Sequence, residues 1–333
     1  NLEQITIMVK CSLVIRCYNE EKHIGRLLSG IIEQSVQDVE IILVDSGSTD
    51  ATVAIASRYP IKLLSIQPQE FSFGRALNLG CQAATGDVIV IASAHVYPVY
   101  RDWLEQLLVP FRDPKIALTY GKQRGNEQTK YSEHQVFAKW FPDQSNWHQD
   151  HPFCNNANAA IRRSLWEQLP YDETLTGLED LDWAKRVLGM GYQLAYVAEA
   201  EIVHVHEETP DKIYNRYRRE AIALKNIFPQ EHFHFIDFLR LFTGNLLSDY
   251  YHAWHDQNLW DRINEIFSFR LMQFWGTYQG FRQQGRLSSQ LKQRFYYPNG
   301  LIRPQLSETN GGEKHRVIDY SSLPKETQVA KYY

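Results

Sequence analysis

The sequence predicts an α/β fold: a mostly parallel, Rossmann-like central sheet flanked by helices, with a helical extension on its C-terminal side. Three observations carry that prediction. Short apolar, β-branched runs alternate with segments of helical spacing through the first hundred residues, which is the pattern of βαβ units. The run Val88-Ile89-Val90-Ile91-Ala92 is apolar without interruption, as a central strand buried on both faces is. Beyond residue 228 the strand pattern gives way to aromatic-rich segments with helical periodicity.

Taken in order, Ser12 to Cys17 reads as the first strand and ends in the polar turn Tyr18-Asn19-Glu20-Glu21. Residues 22–34 then place Ile24, Leu27, Leu28, Ile31 and Ile32 at helical spacing. A second strand over 39–45 runs into Ser46-Gly47-Ser48-Thr49-Asp50, a glycine turn followed by N-cap candidates for a helix at 51–58. A third strand at 61–66, a helix at 74–84 and the strand at 87–92 complete the alternation. That last strand stops at Ser93-Ala94-His95, and the carboxyl ends of such strands line the ligand crevice of open α/β sheets. His95 therefore stands where chemistry is expected. No Gly-x-Gly-x-x-Gly follows the first strand, so a dinucleotide-binding reading lacks its fingerprint.

Composition narrows the class. The 333 residues allow one large domain or two smaller ones, and a net charge of −4 argues against a nucleic-acid partner. Cys11, Cys17, Cys81 and Cys154 are scattered without Cys-x-x-Cys spacing, which fits a reducing, cytoplasmic setting. The sequence contains no apolar run of about 18 residues and opens on no signal-peptide pattern.

The succession Tyr18-Asn19-Glu20-Glu21, Val44-Asp45-Ser46-Gly47-Ser48-Thr49-Asp50, Gly74…Asn78…Gly80, Gly86-Asp87 and Ser93-Ala94-His95 resembles the family 2 inverting glycosyltransferases of GT-A fold. Asn158 to Arg163 and Gly177-Leu178-Glu179-Asp180-Leu181-Asp182 look like later blocks of the same family, rhamnosyltransferase-like members included. The resemblance covers about residues 10–225, and the order and spacing of these motifs make it specific. It implies transfer of a sugar, with inversion, from a nucleotide-diphosphate donor to a hydroxyl of a glycan, lipid-linked or small-molecule acceptor. Surface glycan or polysaccharide synthesis is the setting it suggests.

By that resemblance Asp45 contacts the base, and a carboxylate there can accept the imide N–H of a uracil- or thymine-type ring. Arg16, Tyr18, Asn19 and Glu21 shape the same pocket. Arg75 and Asn78 match a block near the diphosphate, although Leu77 stands where the family often has arginine. Ser93, Ala94 and His95 replace the family's Asp-x-Asp metal motif. Mn²⁺ or Mg²⁺ is the implied cation, with His95 and His204 as ligands and His206 a weaker candidate. An imidazole supplies no negative charge and prefers softer ions than Mg²⁺. Period two puts His204 and His206 on one strand face.

Glu179 and Asp180 are the catalytic candidates. Inverting transfer needs one carboxylate to take the acceptor hydroxyl's proton. The resemblance makes Asp180 that base, with Glu179 positioning it or the acceptor. The pair opens a helix whose buried side is read as Leu178, Leu181, Ala184 and Leu188, while Asp182 and Arg186 pair at i, i+4. Trp140, Phe141, Trp147, His148 and Phe153 suit either acceptor platforms or core.

Residues 1–227 form the expected glycosyltransferase domain, 228–303 an aromatic-rich helical extension, and 304–333 a polar, mobile tail. The extension either packs on the catalytic domain or a second copy, or forms a membrane-surface helix pair that presents a lipid-linked acceptor. Arg216, Arg218, Arg219, Arg240 and Arg262 serve the second reading, which would place the protein at the inner face of the membrane. Two rival functions stand beside the transferase. A nucleotidyltransferase would need a Gly-rich phosphate loop, which Arg16-Cys17-Tyr18-Asn19 is not. A degenerate nucleotide-sugar-binding protein would have no need of Glu179-Asp180.

Overall fold

A computed structural model describes residues 10–285, with Ser288, Leu291, Phe295, Tyr296 and Ile318. The expected tail at 304–333 lies outside the described residues, apart from the buried Ile318. The first half follows the predicted alternation: β1 (Cys11–Cys17), α1 (Ile24–Ile32), β2 (Glu40–Asp45), α2 (Thr52–Ala56), β3 (Ile61–Ser65), α3 (Phe73–Ala83) and β4 (Val88–Ser93). The second half holds β5 (Val96–Pro98), α4 (Trp103–Leu108), β6 (Ile116–Arg124), α5 (Tyr131–Trp140), β7 (Asn146–Gln149), β8 (Asn158–Arg162), α6 (Arg163–Gln168), α7 (Glu179–Gly189) and β9 (Gln193–His204). Three long helices follow: α8 (Pro210–Ile227), α9 (Phe235–His255) and α10 (Leu259–Arg282).

The sheet runs β3-β2-β1-β4-β8-β6-β9-β5, with β7 added on β9. Its parallel character belongs to β3, β2, β1 and β4. Past β4 the sheet is mixed, because β8 runs antiparallel to both β4 and β6, and β5 and β7 run antiparallel to β9. β6 and β9 restore one parallel pair. The strand order reverses at β1, between β2 and β4, so a crevice opens at the carboxyl ends of β1 and β4. Arg16 and Ser93 face each other across that point.

Alternation along β1 divides the core in two. Leu13, Ile15 and Cys17 pack on one face with Leu27, Leu28 and Trp103. Val14 points to the other face, among Val44, Leu77 and Trp183. The helix expected at 51–58 shortens to α2, and its N-cap position, Ala51, has no side-chain cap. Asp50 instead accepts the Thr52 N–H at 2.9 Å in a local turn. The buried side of α7 also differs from the expected stripe: Asp180, Trp183, Ala184 and Val187 are buried, while Leu181 and Leu188 are only partly so. Spacing of i, i+3, i+4, i+7 fits both stripes, and the bulk of Trp183 selects the register.

The C-terminal helices are packed onto the rest. A Cβ on Gly276 would lie 2.5 Å from the Tyr214 carbonyl, and one on Gly280 would lie 2.5 Å from the Arg218 carbonyl, so α10 rides directly on the backbone of α8. Arg270 of α10 makes a buried bidentate pair with Asp249 of α9 at 2.7 and 2.8 Å, and Asp249 also accepts the Ser132 hydroxyl of α5. Phe238, Phe242, Trp275 and Tyr278 pack between α9 and α10. Among the described residues no helix is long and apolar enough to cross a membrane.

Candidate active site

A cavity of about 610 Å³ opens at the reversal point of the sheet, within the range of small-molecule sites. Each wall comes from a different element. The end of β1 and its turn supply Arg16, Tyr18, Asn19 and Glu21. Ser93 ends β4 with Ala94 and His95 just beyond it, Glu179 and Asp180 begin α7, and His204 ends β9 with His206 two residues past it. Most of the expected site residues therefore meet in one place.

The carboxylate pair sits on a strained start. Leu178 has φ +56°, a left-handed conformation unusual for leucine, and it turns the chain so that Glu179 and Asp180 enter the first turn of α7. Asp180 Oδ2 accepts the Asn156 N–H at 2.9 Å, and Oδ1 accepts the Leu181 N–H at 2.8 Å. Burial, and then the charge of Glu179, push the Asp180 carboxyl up to about 7 against those donors. Each of its oxygens keeps a second lone pair for a proton. Glu179 pairs with Arg16 at 3.3 Å. Asp182 holds Arg186 at 2.9 Å on the outer side, as its spacing implies.

Three histidines converge beside the carboxylates. His204 and His206 have ring centres 4.0 Å apart, and His95 stacks over His204 at 5.0 Å. His206 thus lies in the same cluster as His95 and His204. His204 is buried and held well below the usual imidazole range, first by burial and then by the neighbouring His206 and His95. Its Nε2 has no hydrogen-bond partner. An orphaned buried nitrogen among three imidazoles fits a divalent cation.

Three expected residues stand outside the cavity lining. Asp45 is buried behind it, where its carboxylate accepts the Gly47 and Ser48 N–H groups at 3.1 Å each and so closes its own turn. Asp50 takes the place on the wall. Arg75 is half exposed on α3 and pairs loosely with Glu70 and Glu173 at 3.6 and 3.8 Å. Asn78 is fully engaged in structure: its amide donates to Tyr171 O and Glu173, and its Oδ1 accepts from Trp166 Nε1 and Tyr171 N. Of the expected aromatic platform, Phe141 is buried core, Phe153 stacks on Trp140, and none of the five lines the cavity.

The structure adds residues that sequence reasoning missed. The Phe73 ring carries two guanidinium groups, Arg16 at 4.8 Å and Arg219 of α8 at 4.5 Å. Arg219 Nε is buried without a partner, and its nearest carboxylate, Glu220, is 4.0 Å away. Arg216, by contrast, is fully engaged by Glu208 and Glu133. Asn156 lines the cavity next to Asp180, with both side-chain amide atoms buried and unpartnered. The basic run from Arg216 to Arg219 was visible, but nothing in it tells which arginine turns inward.

Residues 12–169 match the model of "Glycosyl transferase family 2". The O-antigen chain rhamnosyltransferase RfbN of Salmonella typhimurium is 30% identical over 222 residues, covering 63% of this chain and 70% of that protein. The O-antigen chain rhamnosyltransferase WbaN of Salmonella anatum is 31% identical over 197 residues, covering 56% of this chain and 62% of its own length. Among solved structures, the mannosyltransferase PcManGT of Pyrobaculum calidifontis, in complex with GDP-Man and Mn²⁺, superposes with a TM-score of 0.55 at 19% identity. It covers 87% of this chain and 88% of that one, a likeness of fold.

Proposed function

The chain belongs to the family 2 glycosyltransferases, and on that premise we propose an inverting transfer of a sugar from a nucleotide-diphosphate donor to an acceptor hydroxyl, in glycan synthesis. The observation that carries the reading is Asp180: a buried carboxylate, held near neutrality, on the wall of a cavity that also holds Arg16, Arg219 and three histidines. Similarity to two O-antigen rhamnosyltransferases supports a deoxyhexose donor and a polysaccharide product.

In the proposed step Asp180 takes the proton of the acceptor hydroxyl while that oxygen bonds to the anomeric carbon. The bond from that carbon to the diphosphate breaks on the opposite face, and its electron pair stays on the phosphate oxygen. Arg16 and Arg219 donate N–H groups toward that developing charge. Glu179 fixes Arg16 through their ion pair. The free amide of Asn156 meets the acceptor hydroxyl beside the base. A divalent cation, as in the Mn²⁺ complex of the mannosyltransferase, would be held by His95, His204 and His206 and would add positive charge at the departing diphosphate.

Calorimetric titration with UDP, dTDP, GDP and CDP, each against its monophosphate, tests this reading. Wild-type protein is expected to bind one diphosphate about tenfold or more tighter than the monophosphate, the scale of a charge-assisted pair. Arg219→Met should erase most of that margin and leave monophosphate affinity unchanged. A protein that binds none of the nucleotides would end the transferase reading and favour a scaffold that has lost its substrate.

A further inference from the structure

We propose that Tyr296, with Phe71 and Phe73, forms an apolar subsite for the donor's sugar and selects a 6-deoxyhexose over the hexose that carries a 6-hydroxyl. The inference rests on the transferase reading of this cavity and names the residues that read the sugar there.

The three rings come from distant parts of the chain. Phe71 precedes α3 and Phe73 opens it, whereas Tyr296 lies beyond the end of α10, and all three line the cavity. They meet edge to face. Ring centres are 5.4 Å apart between Phe71 and Phe73, 5.2 Å between Phe71 and Tyr296, and 5.5 Å between Phe73 and Tyr296. The cluster is anchored from both sides. Ser72 caps α3 by accepting the Arg75 N–H at 3.2 Å, and a Cβ on Gly74 would lie 2.5 Å from the Asp172 carbonyl, so the backbone on either side of Phe73 is fixed. Phe295, next to Tyr296, is buried, with the Arg218 guanidinium 5.8 Å from its ring centre.

Position decides which part of the substrate the rings meet. Phe73 carries Arg16 and Arg219, the groups that face the departing diphosphate. Burial pushes the Tyr296 phenol up, the charge of Arg219 draws it down, and the Glu179 carboxylate adds to the rise. Tyr296 is therefore within electrostatic reach of both a diphosphate arginine and the neighbour of the base. In a single displacement the transferred sugar spans the distance from Asp180 to those arginines, so rings that border both ends lie alongside it. Chemistry then decides which sugar. A phenyl ring gains from covering C–H groups and gives a buried hydroxyl no strong partner. A 6-deoxyhexose turns a methyl group toward such a corner, where a hexose would bring a hydroxyl that loses its water.

Calorimetry on the full-length protein with Mn²⁺ should compare three ligands on the nucleotide it selects: a 6-deoxyhexose donor, the hexose donor of the same configuration, and the bare nucleoside diphosphate. The 6-deoxyhexose donor is expected to bind about tenfold or more tightly than the hexose donor. Tyr296→Ala should cut that ratio to about threefold or less. Phe71→Asn, on a separate segment, should do the same by giving the extra hydroxyl a partner, whereas Tyr296→Phe keeps the ring and should keep the ratio. Affinity for the bare diphosphate should stay within about threefold of wild type in all three variants, which a general loosening of the fold would not allow. Equal binding of the two donors by the wild type would overturn the proposal, as would a ratio that survives both Tyr296→Ala and Phe71→Asn. Either result leaves the transferase reading standing while the bare diphosphate binds, whereas failure of all three ligands to bind ends both.

Discussion

Asp180→Asn is expected to lower the turnover number by about a thousandfold while nucleotide affinity stays within about threefold. The change keeps the size of the side chain and removes the group that takes the acceptor proton. One of the two backbone N–H groups that now meet carboxylate oxygens would face an amide N–H instead, so a modest drop in melting temperature accompanies the loss. The wild-type pH profile makes the same point without a mutation. A base must be deprotonated to act, and burial beside Glu179 holds Asp180 near 7. The rate is therefore expected to climb about tenfold per pH unit below 7 and to level off above it. Stability should move the other way. The folded protein keeps this proton where an unfolded aspartate has lost it, so this group's contribution to stability falls as pH rises from the ordinary carboxylate range through about 7. A profile flat from pH 5 to 8 would assign the base elsewhere.

Gly276→Val is the second large effect, and it acts at a distance. A Cβ at Gly276 would stand 2.5 Å from the Tyr214 carbonyl and 3.2 Å from the Arg218 N–H, both backbone atoms of α8. Backbone cannot rotate aside, so α10 must back away from α8, at a cost on the order of 3 kcal/mol. The residues flanking that contact are the ones the site uses: Arg216 orders Glu133 and Glu208, and Arg219 projects over Phe73. Urea unfolding should show the lower midpoint, and nucleotide titration at a temperature where the variant remains folded should show diphosphate affinity reduced about tenfold. Unchanged diphosphate affinity in the folded variant would mean that the C-terminal helices merely lean on the catalytic domain. Gly244 on α9 meets nothing within 4 Å, so Gly244→Ala serves as the control.

The parts of this molecule that were legible in the sequence share a physical cause. β1, β2 and β4 are buried on both faces, so their apolar runs are unbroken and their ends are sharp. Those ends carry Arg16 and Ser93, and the site follows from them. β5, β7 and β8 are three to five residues long, and their pairing is antiparallel, which left no apolar run to find and made the sheet more mixed than expected. Motif and alternation point to Asp180, His95 and His204, with His206 behind them, and the fold sets all four on one cavity. Arg219 was hidden because α8 carries Arg216, Arg218 and Arg219 within four residues, and each meets a different partner. Arg216 meets acids, Arg218 meets Gln283, and Arg219 meets Phe73 and the cavity. Only the packing of α10 against α8 fixes that rotation. Asp45 and Asn78 sit at motif positions but off the cavity lining, where their hydrogen bonds close a turn and pin a loop.

The central claim is a single displacement with Asp180 as base. Proton NMR of the first glycoside formed, using a donor of defined anomeric configuration whose nucleotide the titration selects, tests it most directly. A product of opposite configuration at the anomeric carbon is expected from the wild type, formed about a thousandfold more slowly by Asp180→Asn. A product that retains the donor's configuration would contradict it, because retention requires a nucleophile or an internal return on the donor's own face.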